Sequence, residues 1–470
     1  MQWKMWVLLT GLCVWATSSA LAAEHIAVVE KDGKEGVINQ SGQLLLKTEY
    51  KNIQRGNPAE DPVILAEKDG KYGIYDREGK EILAPVLKKM TAVNDGVVGG
   101  LTKKWNFYTL SGQKLPGDYD AVQGFQEGLA AVKTGGKWGF VDKTGKLVIA
   151  PQYKEVRGFS EGLAAVKTGN QWFYIRKDGS VLPSVSVKNP GDFHQGVAIV
   201  DKGWLMDTTG KRYAKLKNYS YIGEFQDNGL AAVGVRRSSH SFLDYLSIGW
   251  GWGSGWGWGG PYWGIGPGWG WGPYFGSYGY RHHHHYHHGW GGSIGISPGM
   301  VMPRNLYRGY VNKQGQEVIP PQYSYVSEFF GDYALYRDDG HWGMLNSKGE
   351  VKIPAAYDTL WPFSNGLAAF AADKKWGFIG ENNQVVIPNR FDRVTSFLED
   401  RATATEKKKS GIIDKKGNPV APFKEEYVEM GPLAANRAAY QSKKTGKWGY
   451  TDENGNSVIA PQYDKAGDFD

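Results

Sequence analysis

Cysteine is nearly absent from this chain of 470 residues, which contains only Cys13. Cys13 lies in an apolar run at 6–16 that follows a lysine and precedes small residues at 20 and 22. This order predicts a Sec signal peptide over residues 1–22, which would leave the mature protein without cysteine. Disulfides, thiol catalysis and cysteine-ligated metals are then excluded. We expect a periplasmic, cell-surface or extracellular location.

Long apolar runs and catalytic motifs are also missing. The apolar run at 6–16 is too short to span a bilayer, so no transmembrane span is predicted. Outside one unusual segment the repeats hold only three histidines, His25, His194 and His341. There is no nucleophile motif, and no Gly-rich phosphate loop stands between a strand and a helix. The sequence therefore predicts a protein that is not an enzyme, with no catalytic residues and no required cofactor.

A strong excess of one charge is absent as well. The formal net charge is +7, and lysines such as Lys133, Lys137 and Lys143 alternate with acidic residues in turn-like stretches. This pattern is typical of a solvated surface of mixed charge, with at most a mild attraction to anionic envelope polymers. Because export is expected, we predict no nucleic-acid partner.

The most regular feature is a Trp-Gly pair that recurs through the chain. Its second position falls at 36, 73, 106, 139, 173, 205, 309, 343, 377, 411 and 449. Every step is about 34 residues except the one from 205 to 309. A fixed period of this length indicates a repeat architecture, so we interpret the chain as about eleven copies of one unit.

The clearest copy, residues 129–162, predicts three short strands. Leu129 to Lys133 and Trp138 to Asp142 form a hairpin, and an Asp-x-x-Gly turn leads into Leu147 to Ala150. The fourth turn position is glycine in ten copies and Asn383 in the ninth, which predicts a left-handed backbone there. We expect the Trp to be buried between repeats and the Gly beside it to admit a neighbouring backbone or ring.

These structural roles are assigned at the following positions of the repeats: Trp138, Gly139, Gly145, Trp172, Trp204, Trp342, Gly343, Gly349, Trp376, Gly377, Trp448, Gly449 and Gly455.

The predicted fold is all-β, a tandem array of about eleven three-stranded repeats of ~34 residues stacked into a superhelix or solenoid. Each unit is too small to bury its apolar face alone, so neighbouring units must supply the core. Stacked in single file, the strands would form an object roughly 150 Å long. The alternative is closure into a β-propeller.

The motif resembles the WG repeat family of bacterial proteins. The resemblance rests on Lys137-Trp138-Gly139-Phe140, Lys375-Trp376-Gly377-Phe378 and Lys447-Trp448-Gly449-Tyr450, each followed by an apolar tail with Pro and an aromatic residue. It covers the repeats at 23–239 and 307–470. The resemblance implies surface or interaction roles without a shared chemistry, and no catalytic residues carry over from it.

The long step contains an insertion, assigned to residues 240–306, in the loop between two strands of one repeat. Its core, 247–292, is almost entirely Gly, Trp, Tyr, Pro and His and holds eight of the nineteen tryptophans. Loop tips are where a scaffold tolerates additions. The segment is interpreted as a low-complexity loop without a ligand, as an adhesive arm, or as a metal-binding tract.

For the adhesive interpretation, aromatic faces would stack on sugars, bind proteins or contact a membrane surface peripherally. Its interaction residues would be Trp250, Trp252, Trp256, Trp258, Trp263, Trp269 and Trp271. For the metal interpretation, imidazoles would bind Zn, Ni or Cu ions. Its ligands would be His282, His283, His284, His285, His287 and His288.

The sequence therefore predicts an exported, non-catalytic binding or scaffold protein, whose partner is a protein or an envelope polysaccharide. The alternative function is a periplasmic or surface metal-binding protein.

Overall fold

The protein is an all-β ring of small sheets. The computed structural model describes residues 25–183, 186–236 and 306–470, and these residues contain forty-one strands and no helix. The strands form eleven antiparallel sheets, which we call blades 1 to 11 in chain order. The prediction of an all-β fold made of about eleven small repeated units is confirmed.

Blades 1 to 6 and the first half of blade 7 precede the insertion. Their strands are β1 (Ile26–Lys31), β2 (Lys34–Asn39), β3 (Leu44–Tyr50), β4 (Asn52–Arg55), β5 (Val63–Lys68), β6 (Lys71–Asp76), β7 (Glu81–Leu87), β8 (Lys89–Met90), β9 (Val97–Leu101), β10 (Trp105–Thr109), β11 (Ala121–Val122), β12 (Leu129–Thr134), β13 (Lys137–Asp142), β14 (Leu147–Tyr153), β15 (Glu155–Val156), β16 (Leu163–Thr168), β17 (Gln171–Arg176), β18 (Phe193–His194), β19 (Val197–Val200), β20 (Trp204–Asp207), β21 (Arg212–Lys215), β22 (Tyr221–Phe225) and β23 (Leu230–Arg236).

The remaining blades follow the insertion. Their strands are β24 (Leu306–Asn312), β25 (Glu317–Tyr323), β26 (Tyr325–Phe330), β27 (Tyr333–Asp338), β28 (His341–Asn346), β29 (Val351–Tyr357), β30 (Thr359–Leu360), β31 (Leu367–Ala372), β32 (Lys375–Gly380), β33 (Val385–Phe391), β34 (Arg393–Val394), β35 (Arg401–Glu406), β36 (Lys409–Asp414), β37 (Tyr427–Ala434), β38 (Arg437–Ser442), β39 (Trp448–Thr451), β40 (Ser457–Tyr463) and β41 (Lys465–Ala466).

Each blade has its strands in the order first, second, third, fourth, as in β11-β12-β13-β14 of blade 4. The second and third strands form a regular hairpin, in which Thr134 pairs with Lys137 across a two-residue loop. The fourth strand pairs with the third on the far side. In blades 3, 5 and 10 the fourth strand is reduced to isolated bridges, such as Tyr108 with Lys114.

The prediction of three strands per repeat is wrong, because a short first strand was missed. In blade 5 it is β15, which contains only two residues, and only Lys154 separates it from β14 of the preceding blade. The backbone amide of Lys154 already donates to the carbonyl of Lys167, at 2.9 Å. A two-residue strand is too short to show the alternation of apolar and polar residues that marks a strand in sequence.

The ring is closed by strands from the two ends of the chain. β41 pairs with β1 and completes blade 1, with Val29 opposite Ala466. The amide of Gly467 donates to the carbonyl of Val28 at 2.8 Å, and that of Asp464 to the carbonyl of Glu30 at 2.7 Å. The predicted superhelical stack is therefore wrong, and the fold is the alternative, an eleven-bladed β-propeller. Closure covers the sheet edges that an open stack would leave unpaired at its two ends.

The core lies between neighbouring blades. One cluster joins Phe140 and Ile149 of blade 4 to Val166 and Ile175 of blade 5, and each of these side chains is at most 4% exposed. The closing cluster joins Val29 and Ile38 of blade 1 to residues of blade 11 in the same way. Each blade is therefore stabilised by the two blades beside it, as expected for a repeat that cannot bury its apolar face alone.

Candidate functional site

The tryptophans of the Trp-Gly pairs lie at the blade junctions. Trp138 and Trp172 are half-buried against the clusters on either side of blade 5, and Trp342 and Trp448 are buried, with exposed fractions of 6% and 4%. A cation lies over several of these rings, for example the Nζ of Lys167 at 5.5 Å from the Trp172 ring centroid. These side chains therefore build the ring and offer little free aromatic face to a ligand.

The glycine of the pair admits the backbone of the fourth strand. In blade 9, Trp376 pairs with Phe391 and Phe378 pairs with Ile387, so the fourth strand has two extra residues and bulges toward Gly377. A Cβ on Gly377 would lie 2.5 Å from the Ile387 carbonyl oxygen and 2.7 Å from the Asn389 nitrogen. Any side chain there would clash with the backbone.

Blade 6 shows why this glycine can be replaced. There Trp204 pairs with Lys215 and Leu205 pairs directly with Ala214, so the strand does not bulge opposite Leu205, and the register shifts only after it, between Leu205 and Met206. Leu205 takes the place of the glycine and is fully buried. Glycine is thus required where the fourth strand bulges toward this position, and not simply because a tryptophan precedes it.

The turn after the third strand has a left-handed residue at its fourth position. Gly145 has a φ of 80°, and Asn383, which replaces glycine in blade 9, has a φ of 60°. The side chain of Asp142 opens this turn in blade 4, and its Oδ1 accepts from the amides of Thr144 and Lys146 at 2.9 and 3.0 Å. These aspartates therefore act as turn residues. Hydrogen bonds, first of all the one from the Thr144 side chain, lower the pKa of Asp142.

A second set of aspartates clamps neighbouring blades together. Asp392 lies at the corner between blades 9 and 10, where its carboxylate accepts from the amide of Lys407 at 2.9 Å and pairs with Lys375. The same arrangement joins blade 3 to blade 4 and blade 11 to blade 1. Between blades 3 and 4, Asp120 pairs with Lys104 and accepts from the amide of Gly135. Between blades 11 and 1, Asp464 pairs with Lys447 and accepts from the amide of Asp32.

The insertion leaves from the hairpin of blade 7. Its flanking strands are fully paired, and Arg236 at the end of β23 faces Leu306 at the start of β24. Beside this point Arg308 occupies the position that holds tryptophan in other blades. Its guanidinium lies 5.4 and 5.2 Å from the ring centroids of Tyr221 and Tyr325. The insertion thus replaces a loop that has two residues in blade 4, while the blade around it stays intact.

The predicted ligand residues of the insertion lie outside the described residues. These are the tryptophans from Trp250 to Trp271 and the histidines from His282 to His288. Within the described ranges no group of three or more His, Cys, Asp or Glu side chains is placed to hold a metal ion. The predicted signal peptide also falls outside those ranges, and no helix within them is long and apolar enough to cross a membrane.

The most perturbed carboxyl among the described residues lies at the ring closure. Burial raises the pKa of Asp468 to about 6, although the nearby Arg55 acts in the opposite direction. Its Oδ1 is buried without a hydrogen-bond partner. Arg55 instead donates to the carbonyls of Ile26 and Asp468 at 2.6 and 2.8 Å, and Arg77 pairs with the Asp470 carboxylate. These groups join blades 1 and 2 to the end of the chain.

The fold and its junctions define an eleven-bladed β-propeller built from one repeated unit. The family model for the WG containing repeat matches at seven places, residues 36–72, 114–138, 138–172, 309–341, 342–376, 376–409 and 448–470. The chain belongs to this WG repeat family. No curated protein sequence matches the chain.

Several solved structures resemble the ring at low identity. A eukaryotic initiation factor is 8% identical with a TM-score of 0.42, over 95% of this chain and 98% of the other. Hsv2p of Kluyveromyces lactis is 14% identical with a TM-score of 0.26, over 46% and 90%. The dihydro-heme d1 dehydrogenase NirN is 12% identical with a TM-score of 0.30, over 70% and 72%. At these values the likeness says nothing about function.

Proposed function

We propose that the protein is an exported, non-catalytic binding scaffold, in which the ring presents the insertion assigned to 240–306 to a protein or an envelope polysaccharide. The observation that carries this proposal is the pairing of Arg236 with Leu306. In this pairing the two strands of blade 7 are adjacent although about 70 residues of sequence separate them, which supports an insertion in the hairpin loop. A rigid support with a single added arm is typical of sites grafted onto a scaffold.

The composition of the arm supports binding by contact. Residues 247–292 supply eight tryptophans on a glycine-rich backbone. Tryptophan faces stack on sugars and pack on protein surfaces, and a tryptophan has few rotatable bonds to order on binding. In the ring, by contrast, most of the tryptophans pack at blade junctions. The proposal therefore assigns binding to the tryptophans of 247–292.

Deleting the arm tests the proposal. In a variant lacking 247–292 we expect retention on envelope fractions to be lost while the circular dichroism spectrum and unfolding midpoint of the ring are kept. A matched variant with the seven named tryptophans from Trp250 to Trp271 changed to serine should lose retention as well. If the deletion variant stays bound, the ring itself is the binding surface and the proposal is wrong.

A second proposed function is metal binding by the histidine tract. Six histidines lie within residues 282–288, and neutral imidazole is a good ligand for Zn, Ni and Cu ions. We expect titration calorimetry to show bound metal in the wild-type chain and less in a variant lacking 282–288. Equal stoichiometry in the two proteins would exclude this function.

A further inference from the structure

The loops that join the second and third strands all lie on one side of the ring. Each blade repeats the same strand order, and the ring closes from blade 11 to blade 1. Equivalent loops of the blades therefore form one circle, and the loops that join the first and second strands form another. We call the first circle the hairpin side. In each blade it runs from the last residue of the second strand to the first residue of the third strand.

The fold separates charges that look evenly spread in the sequence. Within the described residues the hairpin side carries seventeen Lys or Arg and seven Asp or Glu. In blades 2 to 11 the loops between first and second strands carry four Arg and nine Asp or Glu. The small net charge of the chain thus conceals hairpin loops that are strongly basic and loops between first and second strands that are acidic.

Four consecutive blades that include the ring closure carry many lysines on the hairpin side. Blades 9, 10 and 11 contribute Lys374, Lys407–Lys409 and Lys443–Lys444, and blade 1 contributes Lys31 and Lys34. All eight side chains are exposed. We call them the lysine arc. Ring closure creates the arc, because it places Lys31 and Lys34 on the blade next to Lys444, more than 400 positions away in sequence.

The lysine arc is available to a partner. With the described residues, Lys34, Lys374, Lys408 and Lys444 form no ion pair, whereas Lys443 pairs with Glu425 at 2.7 Å. The corner carboxylates nearest the arc are already engaged in the clamps of Asp392 and Asp464. The hairpin loops of these blades also hold Asp32, Asp373 and Glu406, so the eight lysines of the arc still outnumber the three carboxylates beside them.

We infer that the hairpin side docks on an anionic phospholipid surface through the lysine arc. The arc consists of lysine point charges spread over four blades, which suits an extended anionic surface better than a small ligand held by paired hydrogen bonds. This inference is independent of the proposed function of the arm.

Vesicle flotation with the full chain tests the inference. We compare phosphatidylcholine vesicles with vesicles that also contain phosphatidylglycerol, at about 0.1 M salt, where screening is effective beyond ~10 Å. The test variant changes Lys34, Lys374, Lys408 and Lys444 to Gln, one lysine from each blade of the arc. The matched control changes Lys143, Lys211, Lys348 and Lys416 to Gln, which are exposed lysines of turns on the opposite side.

We expect the wild type and the control to bind only the phosphatidylglycerol vesicles, and the test variant to bind them at least about tenfold more weakly. Equal weakening in both variants, or no binding of the wild type, would overturn the inference. Binding to a soluble anionic polysaccharide without binding to vesicles would also overturn it. A further result would overturn the inference as well. If a variant lacking 247–292 lost all lipid binding while the test variant kept it, the lipid site would be the arm and not the arc.

Discussion

At the residue scale, the two glycines of each repeat have different reasons to be glycine. The turn glycine needs a left-handed backbone, as Gly145 and its substitute Asn383 show. The glycine beside the tryptophan needs space, because the fourth strand bulges against it. The first reason could be predicted from the sequence, since asparagine is the one other residue found at that position. The second could not be assigned to a named neighbour, because the bulge depends on the pairing of two strands.

The space requirement predicts that Gly377→Ala lowers the free energy of unfolding by about 1–3 kcal/mol, since the new methyl group would overlap the backbone of Ile387 and Asn389. Urea unfolding measures the change. The matched control is Gly380→Ala at the end of the same strand, where the nearest atom to the new Cβ is the Asn382 side-chain oxygen at 3.3 Å. Equal effects of the two substitutions would contradict the role given to the bulge.

The buried Asp468 predicts a pH dependence of stability. Burial raises the pKa of its carboxyl to about 6, above the ordinary value of 3.8. Between about pH 4 and 6 the folded state therefore holds a proton that the unfolded chain has lost. This group alone makes the free energy of unfolding fall as pH rises through that window.

Asp468→Asn removes this proton uptake. Relative to wild type, the variant should gain stability from about pH 4 to pH 6, by on the order of 2 kcal/mol in total. Urea unfolding at several pH values checks the slope. Asp142→Asn is the control, because hydrogen bonds lower the pKa of Asp142, so the stability of this variant relative to wild type should change only slightly across the window and in the opposite direction. A constant difference between Asp468→Asn and wild type would show that Asp468 is not neutral in the folded state.

At the element scale, each blade junction combines an apolar cluster with a corner clamp. In the clamp of blade 9, the Asp392 carboxylate accepts from the amide of Lys407 and pairs with Lys375. Both side chains are more than a third exposed, so the ion pair contributes little. The hydrogen bond to the backbone amide should contribute more of the stability.

This division predicts different effects for two substitutions of Asp392. Asp392→Ala should lower the free energy of unfolding by about 1 kcal/mol, because the amide of Lys407 loses its acceptor. Asp392→Asn should lower it much less, since the amide oxygen still accepts. Urea unfolding of both variants measures the difference. If Asn were as destabilising as Ala, the charge of Asp392 would matter more than its hydrogen bond.

The elements themselves were only partly predictable. The hairpin of second and third strands, the glycine turn and the position of the insertion are local, so their residues mark them in the sequence. First strands such as β15 have only two residues. They are held by pairing with the second strand of their own blade, as β15 is with β16, and a strand this short shows no pattern of its own in the sequence. The clamp aspartates do recur at corner positions, at 120, 392 and 464, and this signal could have been found.

At the scale of the whole molecule, closure was the property that the repeat pattern left open. A rod and a ring bury the same faces between neighbouring units, and they differ only in a small rotation at each junction. That rotation is set by many side-chain contacts together, so no single repeat shows it as a sequence pattern. Closure in turn forms the lysine arc, since it makes blade 1 the neighbour of blade 11. The surface proposed to bind lipid therefore depends on the ring.

The most direct test of the ring is a cross-link between the two strands that close it. The chain is made without residues 1–22, which removes Cys13, and with Glu30→Cys and Lys465→Cys, positions that face each other in the β1–β41 pair. A short bifunctional thiol reagent should join them within one chain, because paired strands bring Cα atoms to about 5 Å. A control pair, Glu30→Cys with Lys202→Cys on the far side of the ring, should not react in this way. Mass spectrometry that finds no intramolecular product at 30 and 465, together with a particle roughly 150 Å long by small-angle scattering, would contradict the closed propeller.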